Sequence, residues 1–187
     1  MKVVIIGGVA GGATAAARLR RLDESAEIII FERSVYVSYA NCGLPYYIGG
    51  EIKRKSALTL QTPGSFKARF NIDVRVNSEV VKIDRAGRRV LVRSPQGEYF
   101  ESYDKLIYSP GARPLLPEGA EGERFFALRT VEDTFAIDNF IKSAAPKSAI
   151  VAGGGFIGLE TAENLVRRGI EVTLVQSRDQ VLPQVDY

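Results

Sequence analysis

The chain offers one thiol, no imidazole and two glycine-rich turns with which to do chemistry. The thiol is Cys42, in the stretch Val37-Ser38-Tyr39-Ala40-Asn41-Cys42-Gly43-Leu44-Pro45-Tyr46-Tyr47-Ile48. Proline fits the first turn of a helix but not its interior, so Pro45 predicts a helix over 44–48 that begins near Cys42. A sulfur there would sit in the positive end of the helix dipole, which favours the thiolate and nucleophilic chemistry. The other reading of a lone thiol is a small buried apolar side chain. Without histidine, Ser-His-Asp and Cys-His catalysis and His-ligated metals are excluded. One cysteine likewise excludes an internal disulfide framework and a cysteine-based metal site, so no metal is expected.

The two turns are Gly7-Gly8-Val9-Ala10-Gly11-Gly12 and Gly153-Gly154-Gly155-Phe156-Ile157-Gly158. A glycine-rich turn between strand and helix exposes backbone N–H groups, and the helix dipole adds positive potential, which together make a pyrophosphate site. Glycines also make ordinary tight turns, so the motif counts only in its strand–turn–helix context, which both copies have. In the first copy Val9 stands where the middle glycine belongs. Its side chain limits close approach, and the amides of residues 10–13 are expected to hold the pyrophosphate. Glu32, at the end of the next strand and followed by Arg33, is placed to accept hydrogen bonds from ribose hydroxyls. The second copy is complete, and its strand ends in Gln176. An amide there can bond a ribose hydroxyl without repelling a 2′-phosphate, and Arg178 is close in sequence, so NADH and NADPH both remain open.

The elements that must position these residues follow from periodicity. Residues 2–6 form a nearly all-apolar run, as a strand buried on both faces of a parallel sheet requires. An alanine-rich helix over 13–22 and a second buried strand over 27–31 complete a βαβ unit. A Thr62-Pro63 start predicts a helix to about residue 70, and 72–76 reads as a strand. Alternating runs at 79–84, 88–93 and 98–103 predict an antiparallel meander, and 105–108 returns to the buried pattern. Residues 112–124, rich in Pro, Gly and Glu, mark a domain boundary. Thr130 with Asp133 resembles a capping box for a helix to about 142. A strand at 148–152, a helix to about 168 and a strand at 171–175 then repeat the opening plan. The expected fold class is α/β, with a Rossmann-like βαβ and meander in domain 1–112 and the start of a second Rossmann-like domain in 113–187.

Composition is that of an ordinary globular protein, 45% hydrophobic and 25% charged. The net charge of +3 is too small to indicate nucleic acid, and no apolar run approaches the ~20 residues of a membrane helix. The basic runs Arg18-Leu19-Arg20-Arg21 and Lys53-Arg54-Lys55 read as solvated helix face and loop. With a strand expected from residue 2, no signal peptide is expected. An unpaired thiol fits a reducing cytoplasm, which is the expected location.

Two dinucleotide cradles with a cysteine segment after the first βαβ resemble the FAD-dependent pyridine nucleotide-disulfide oxidoreductases, from residue 2 to residue 187. Tyr103-Asp104-Lys105-Leu106-Ile107-Tyr108-Ser109-Pro110-Gly111-Ala112 looks like the segment that closes the first part of that family's FAD domain. The runs SYANCGLPYYIGG and GGVAGGATAA look like its coenzyme A-disulfide reductase branch. The resemblance implies FAD at the first cradle, with Gly7, Val9, Ala10, Gly11, Gly12, Glu32, Arg33 and Gly111 as contacts. It implies NADH or NADPH at the second, through Gly153, Gly155, Phe156, Ile157, Gly158 and Gln176. Cys42 becomes the redox thiol, cycling through a mixed disulfide with a small thiol.

Relatives that use a cysteine pair need a second cysteine, which this chain lacks. Related peroxidases and oxidases carry a histidine where Ala10 stands, which argues against peroxide as the main substrate. Thr14, Arg18 and Arg21, spaced i, i+4, i+7, share one helix face, near the Cys42 loop if the fold is as expected. There they either grip the phosphates of coenzyme A or are ordinary solvated charges. Ser38 and Asn41 flank the sulfur as polar contacts to substrate or flavin. The resemblance further implies that the chain is the N-terminal part of a homodimeric protein roughly twice as long or more. Two rival readings are an NADH oxidase or polysulfide/persulfide reductase with the same thiol, and a non-catalytic redox-sensing module.

Overall fold

The computed structural model describes residues 1–182 and 185; Pro183, Gln184, Asp186 and Tyr187, at the end of the expected second domain, lie outside the described residues. In chain order the elements are β1 (Lys2–Ile6), α1 (Ala10–Leu22), β2 (Glu27–Phe31), α2 (Leu44–Gly49), α3 (Pro63–Phe70), β3 (Asp73–Arg75), β4 (Glu79–Asp84), β5 (Arg89–Ser94), β6 (Gly97–Ser102), β7 (Lys105–Tyr108), α4 (Val131–Ala144), β8 (Ser148–Ala152), α5 (Phe156–Arg167) and β9 (Glu171–Val175). Short 3-10 turns occupy Asn41–Gly43 and Lys55–Ala57. They fold into two compact units, the first made of Met1–Tyr39 and Thr59–Ala112, the second of Ala40–Leu58 and Arg113 onward.

In the first unit a four-stranded parallel sheet has the order β3-β2-β1-β7, and β4-β5-β6 form the antiparallel meander. The apolar runs in β1 and β2 follow from burial on both faces. Val3, Ile5, Ile28 and Ile30 pack with Ala13 and Ala16 of α1, Phe66 of α3 and Ile72. Val4, Ile6, Ile29 and Phe31 point the other way, onto Val90 and Val92 of β5. Each such side chain contributes roughly 1.5–3 kcal/mol by leaving water. Alanines on the buried stripe let α1 lie close to the sheet. The α3 start is fixed by a capping box, in which Thr62 Oγ1 accepts from the Ser65 amide at 3.1 Å and Ser65 Oγ accepts from the Thr62 amide at 2.8 Å.

Arg20 departs from the solvated face expected of the basic run. Its guanidinium donates to the carbonyls of Phe70 (2.7 Å), Asp23 (3.2 Å), Glu24 (2.5 Å), Ala26 (2.7 Å) and Asn71 (3.0 Å). It therefore clasps the ends of α1 and α3 together, a use of the guanidinium fork that lysine cannot reproduce.

In the second unit β8 and β9 pair in parallel. Ile48 of α2, Ile141 of α4, Leu165 of α5 and Ile170 form its core. The capping box expected at α4 is present: Thr130 Oγ1 accepts from the Asp133 amide at 3.1 Å, and Asp133 Oδ2 accepts from the Thr130 amide at 2.8 Å. The expected domains, 1–112 and 113–187, do not separate residues 40–58 from the first part, whereas the two compact units do. Residues 40–58 group with the second unit, because Ile48 is fully buried among α4 and α5 residues and Tyr47 packs edge-on against Phe135.

Candidate functional site

The first cradle is the turn between β1 and α1. Gly7 takes a left-handed φ of +94°, and a methyl on it or on Gly12 would strike the Ser109 carbonyl or the Gly7 carbonyl respectively. Both positions therefore need glycine, one for conformation and both for space. The helix starts at Ala10 with Val9 as its N-cap. The amide of Ala13 is already spent on the Val9 carbonyl at 3.0 Å. Ala10, Gly11 and Gly12 form the first turn of the helix, whose amides have no acceptor four residues back within it.

Gly8 is held from both sides. Its N–H donates to Glu32 Oε2 at 2.8 Å, and its carbonyl accepts from the Ser38 amide at 2.8 Å. Glu32 is buried, and its other oxygen accepts from the Ser34 amide at 3.0 Å. Each carboxylate oxygen keeps a further lone pair for a ribose hydroxyl. Ser38 reaches its position with a φ of +47°, left-handed for a residue with a side chain, and its carbonyl accepts from Leu60 at 2.8 Å. Arg33 is exposed beside Glu32, and Gly111 takes a φ of +74° just beyond β7.

The second cradle, between β8 and α5, repeats this wiring. Gly153 has a φ of +111°, and a methyl on Gly158 would strike the Gly153 carbonyl. The Gly154 amide donates to Gln176 Oε1 at 3.1 Å, and its carbonyl accepts from the Leu182 amide at 2.7 Å. Leu182 has a φ of +48°, matching Ser38. Gly155 is the N-cap, the Leu159 amide is spent on the Gly155 carbonyl at 3.0 Å, and the amides of Phe156, Ile157 and Gly158 open α5. The Phe156 and Ile157 side chains are exposed. Gln176 also donates through Nε2 to the Gln180 carbonyl at 3.3 Å.

Cys42 lies in the 3-10 turn that precedes α2, in the second unit, and is exposed. This excludes the buried core reading. The helix behind it is only six residues long, so the macrodipole expected to act on the sulfur is small. Pro45 lies in its first turn as expected. The turn is fixed by the Gly43 amide donating to the Ala40 carbonyl at 2.9 Å and the Ala40 amide to the Leu58 carbonyl at 2.8 Å. In the residue before Cys42, Asn41 Oδ1 is buried with no hydrogen-bond partner among the described residues. Orphaned buried acceptors are uncommon, and this one marks a place where a bound donor would be stabilised. Thr14, Arg18 and Arg21 are all exposed on α1, in the first unit, with Arg21 Nε donating to the Ala17 carbonyl at 3.3 Å.

Three parts of the site escape sequence reasoning. Ser109 backs the first glycine turn through its carbonyl. The backbones of Ser38 and Leu182, and not their side chains, close the two cradles. Left-handed residues other than Gly, Asn and Asp carry no local sequence signal, so only the shared spacing from Glu32 to Ser38 and from Gln176 to Leu182 hints at them.

A profile of the family described as pyridine nucleotide-disulphide oxidoreductase matches residues 1–187. The coenzyme A disulfide reductase of Staphylococcus haemolyticus is 44% identical over 187 residues, which is 99% of this chain and 42% of that protein. The crystal structure of reduced Bacillus anthracis CoADR-RHD superposes with a TM-score of 0.95 at 51% identity, covering 100% of this chain and 34% of the other. The NAD-dependent persulfide reductase of A. fulgidus gives 0.94 at 38% identity, over 98% of this chain and 35% of its own. The chain thus spans less than half the length of each of these relatives. Its two cradles, its thiol and the match along its whole length place it in the pyridine nucleotide-disulphide oxidoreductase family.

Proposed function

We propose that the first cradle holds FAD, the second holds NADH or NADPH, and Cys42 delivers the electrons to coenzyme A disulfide. The observation that carries this reading is the exposed, sole thiol in a chain whose two glycine turns are wired alike. The chemistry of the first turn supports a dinucleotide: the first-turn amides of Ala10, Gly11 and Gly12 would face a diphosphate, and Glu32 would offer lone pairs to a ribose. A flavin held there supplies two-electron transfer from a reduced nicotinamide to sulfur. The Cys42 thiolate attacks one sulfur of the disulfide RSSR, forming Cys42–S–S–R and releasing RS⁻. Breaking that mixed disulfide takes two electrons, which a bound nicotinamide would supply; Cys42 returns to the thiolate and a second RS⁻ leaves. With one proton from the nicotinamide and one from solvent, NAD(P)H, H⁺ and RSSR become NAD(P)⁺ and two RSH.

Asn41, with its unpartnered oxygen, and Ser38 are the polar contacts we assign to substrate or flavin. Arg18 and Arg21, exposed on α1 with Thr14, are the groups we assign to the coenzyme A phosphates. The similarity to a persulfide reductase supports a second substrate for the same thiol, a persulfide attacked at its outer sulfur. A reducing, cytoplasmic setting goes with either substrate. The test is Cys42→Ser in the protein with its cofactors bound, assayed with coenzyme A disulfide, a polysulfide and oxygen. Flavin should be retained and disulfide turnover abolished; full disulfide turnover in the variant would contradict the proposal.

A further inference from the structure

The last carbonyls of a helix have no partner within it. In α2, the Tyr46 carbonyl accepts from Glu51 at 3.0 Å and the Tyr47 carbonyl from Gly50 at 3.0 Å. The Ile48 carbonyl is served differently: Arg168, at the end of α5, donates to it through a terminal guanidinium nitrogen at 2.9 Å. The same nitrogen lies 3.2 Å from Asp138 Oδ1 of α4, and the other Asp138 oxygen pairs with Lys142 at 2.6 Å. Asp138 is only 3% exposed, so its charge is oriented and paired rather than solvated. One turn back along α5, Asn164 is fully buried, donates to the Glu160 carbonyl at 2.8 Å, and leaves Oδ1 against Gly49 with no partner among the described residues. A methyl on Gly49 would collide with that side chain. Every one of these groups belongs to the second unit, as does Cys42.

We propose that Arg168, oriented by Asp138, is a positioning residue for Cys42: it completes the C-terminal cap of α2 and so fixes the short helix on which the thiol-bearing turn is mounted. This rests on Cys42 being the redox thiol but is measured without turnover. The helix is six residues long, too short to persist without tertiary support. With the Ile48 carbonyl released, the C-terminal end of the helix loses a tie that its buried side chains do not replace, and the Asn41–Gly43 turn mounted on it loosens with it. The Asn164–Gly49 contact sets how closely α2 approaches α5, and the guanidinium sets its orientation.

The chain has a single cysteine, so a symmetric aromatic disulfide such as 5,5′-dithiobis(2-nitrobenzoate) reports on Cys42 alone. The Cys42 thiolate takes one half of the probe as a mixed disulfide and releases the other half as a coloured thiolate. The rate is compared in the full chain, in Arg168→Met, Asp138→Leu and Asp138→Asn, and in a peptide of residues 37–50. Hydrogen exchange on residues 44–50 and the thermal midpoint are followed in parallel. In Arg168→Met and Asp138→Leu, exchange on α2 should quicken at least tenfold, and the probe rate should move at least threefold towards that of the peptide. Asp138→Asn keeps an oxygen for Arg168 and should restore both readouts to within twofold of the parent. Unchanged α2 exchange and thiol rate in Arg168→Met would overturn the proposal. So would a loss of protection spread evenly over α4 and α5, or a failure of Asp138→Asn to rescue. Inactivity of the whole enzyme on disulfides would instead overturn the functional reading and leave these rates interpretable.

Discussion

The two cradles are built on one plan yet differ in their support. In each, a left-handed glycine opens the turn, a second glycine is tied to the acceptor ending the following strand, and a left-handed residue beyond that strand closes the loop. The first turn is pressed from outside by Ser109 beyond β7, whereas a methyl on Gly153 would meet no atom of the described residues within 4 Å. The first acceptor is a buried carboxylate and the second a half-buried amide. Conserved wiring with different acceptors teaches that closing the turn needs only a hydrogen-bond acceptor. The charge of that acceptor is free to serve ligand selection.

The symmetry breaks or holds first at the helix glycines. Gly12→Ala and Gly158→Ala drive a methyl into a backbone carbonyl that cannot rotate away, and each should cost about 3 kcal/mol. Urea denaturation should show similar losses for both; a loss in one alone would refute the shared plan. The turn glycines should then separate the two sites. Both changes impose left-handed strain of about 1 kcal/mol. Gly7→Ala adds the collision with Ser109 and should be worse than Gly153→Ala by a further ~1–2 kcal/mol.

Gln176→Glu tests what the acceptor's charge does. The tie to Gly154 should survive, because a carboxylate accepts as well as an amide oxygen. Affinity for NADPH should fall relative to NADH by about tenfold, or ~1.4 kcal/mol, through repulsion of the 2′-phosphate. Competitive binding titrations would show it, and an unchanged ratio would remove Gln176 from the ribose site.

The smallest effect is an acid limb belonging to the first unit. Burial pushes the Glu101 carboxyl up, but hydrogen bonds from Lys2 and Arg75 outweigh it and hold it below its ordinary 4.5. A carboxyl lowered in the folded state stabilises above its unfolded pKa, and that contribution is lost as pH falls through the folded one. Glu101→Gln should therefore flatten the decline in stability below pH 4.5. Denaturation midpoints from pH 3 to pH 7 would show this.

Much of this was legible because it is local. The buried strands, the βαβ order, the meander, the Thr62-Pro63 helix start and the Thr130–Asp133 capping box follow from periodicity and cap residues within a few positions of each other. So do the glycine turns and their strand-end acceptors. What was not legible depends on distant partners. Residues 40–58 join the second unit through contacts such as that of Arg168 with Ile48, which no window along the chain contains. Arg20 looks like its neighbours Arg18 and Arg21 until α3 brings its carbonyls alongside. The short helix after Cys42 was legible too, expected over 44–48 and ending at Gly49 before the left-handed Gly50; what its shortness limits is the dipole that acts on the sulfur.

The central claim is that electrons entering at the second cradle end on Cys42. An anaerobic spectral titration of the FAD-loaded protein with NADH and with NADPH tests it most directly, comparing the parent with Cys42→Ser. The parent should develop a long-wavelength shoulder from thiolate against flavin, and the variant should lack it, with the flavin band present in both. The same shoulder in Cys42→Ser, or no flavin response to either nicotinamide in the parent, would contradict it.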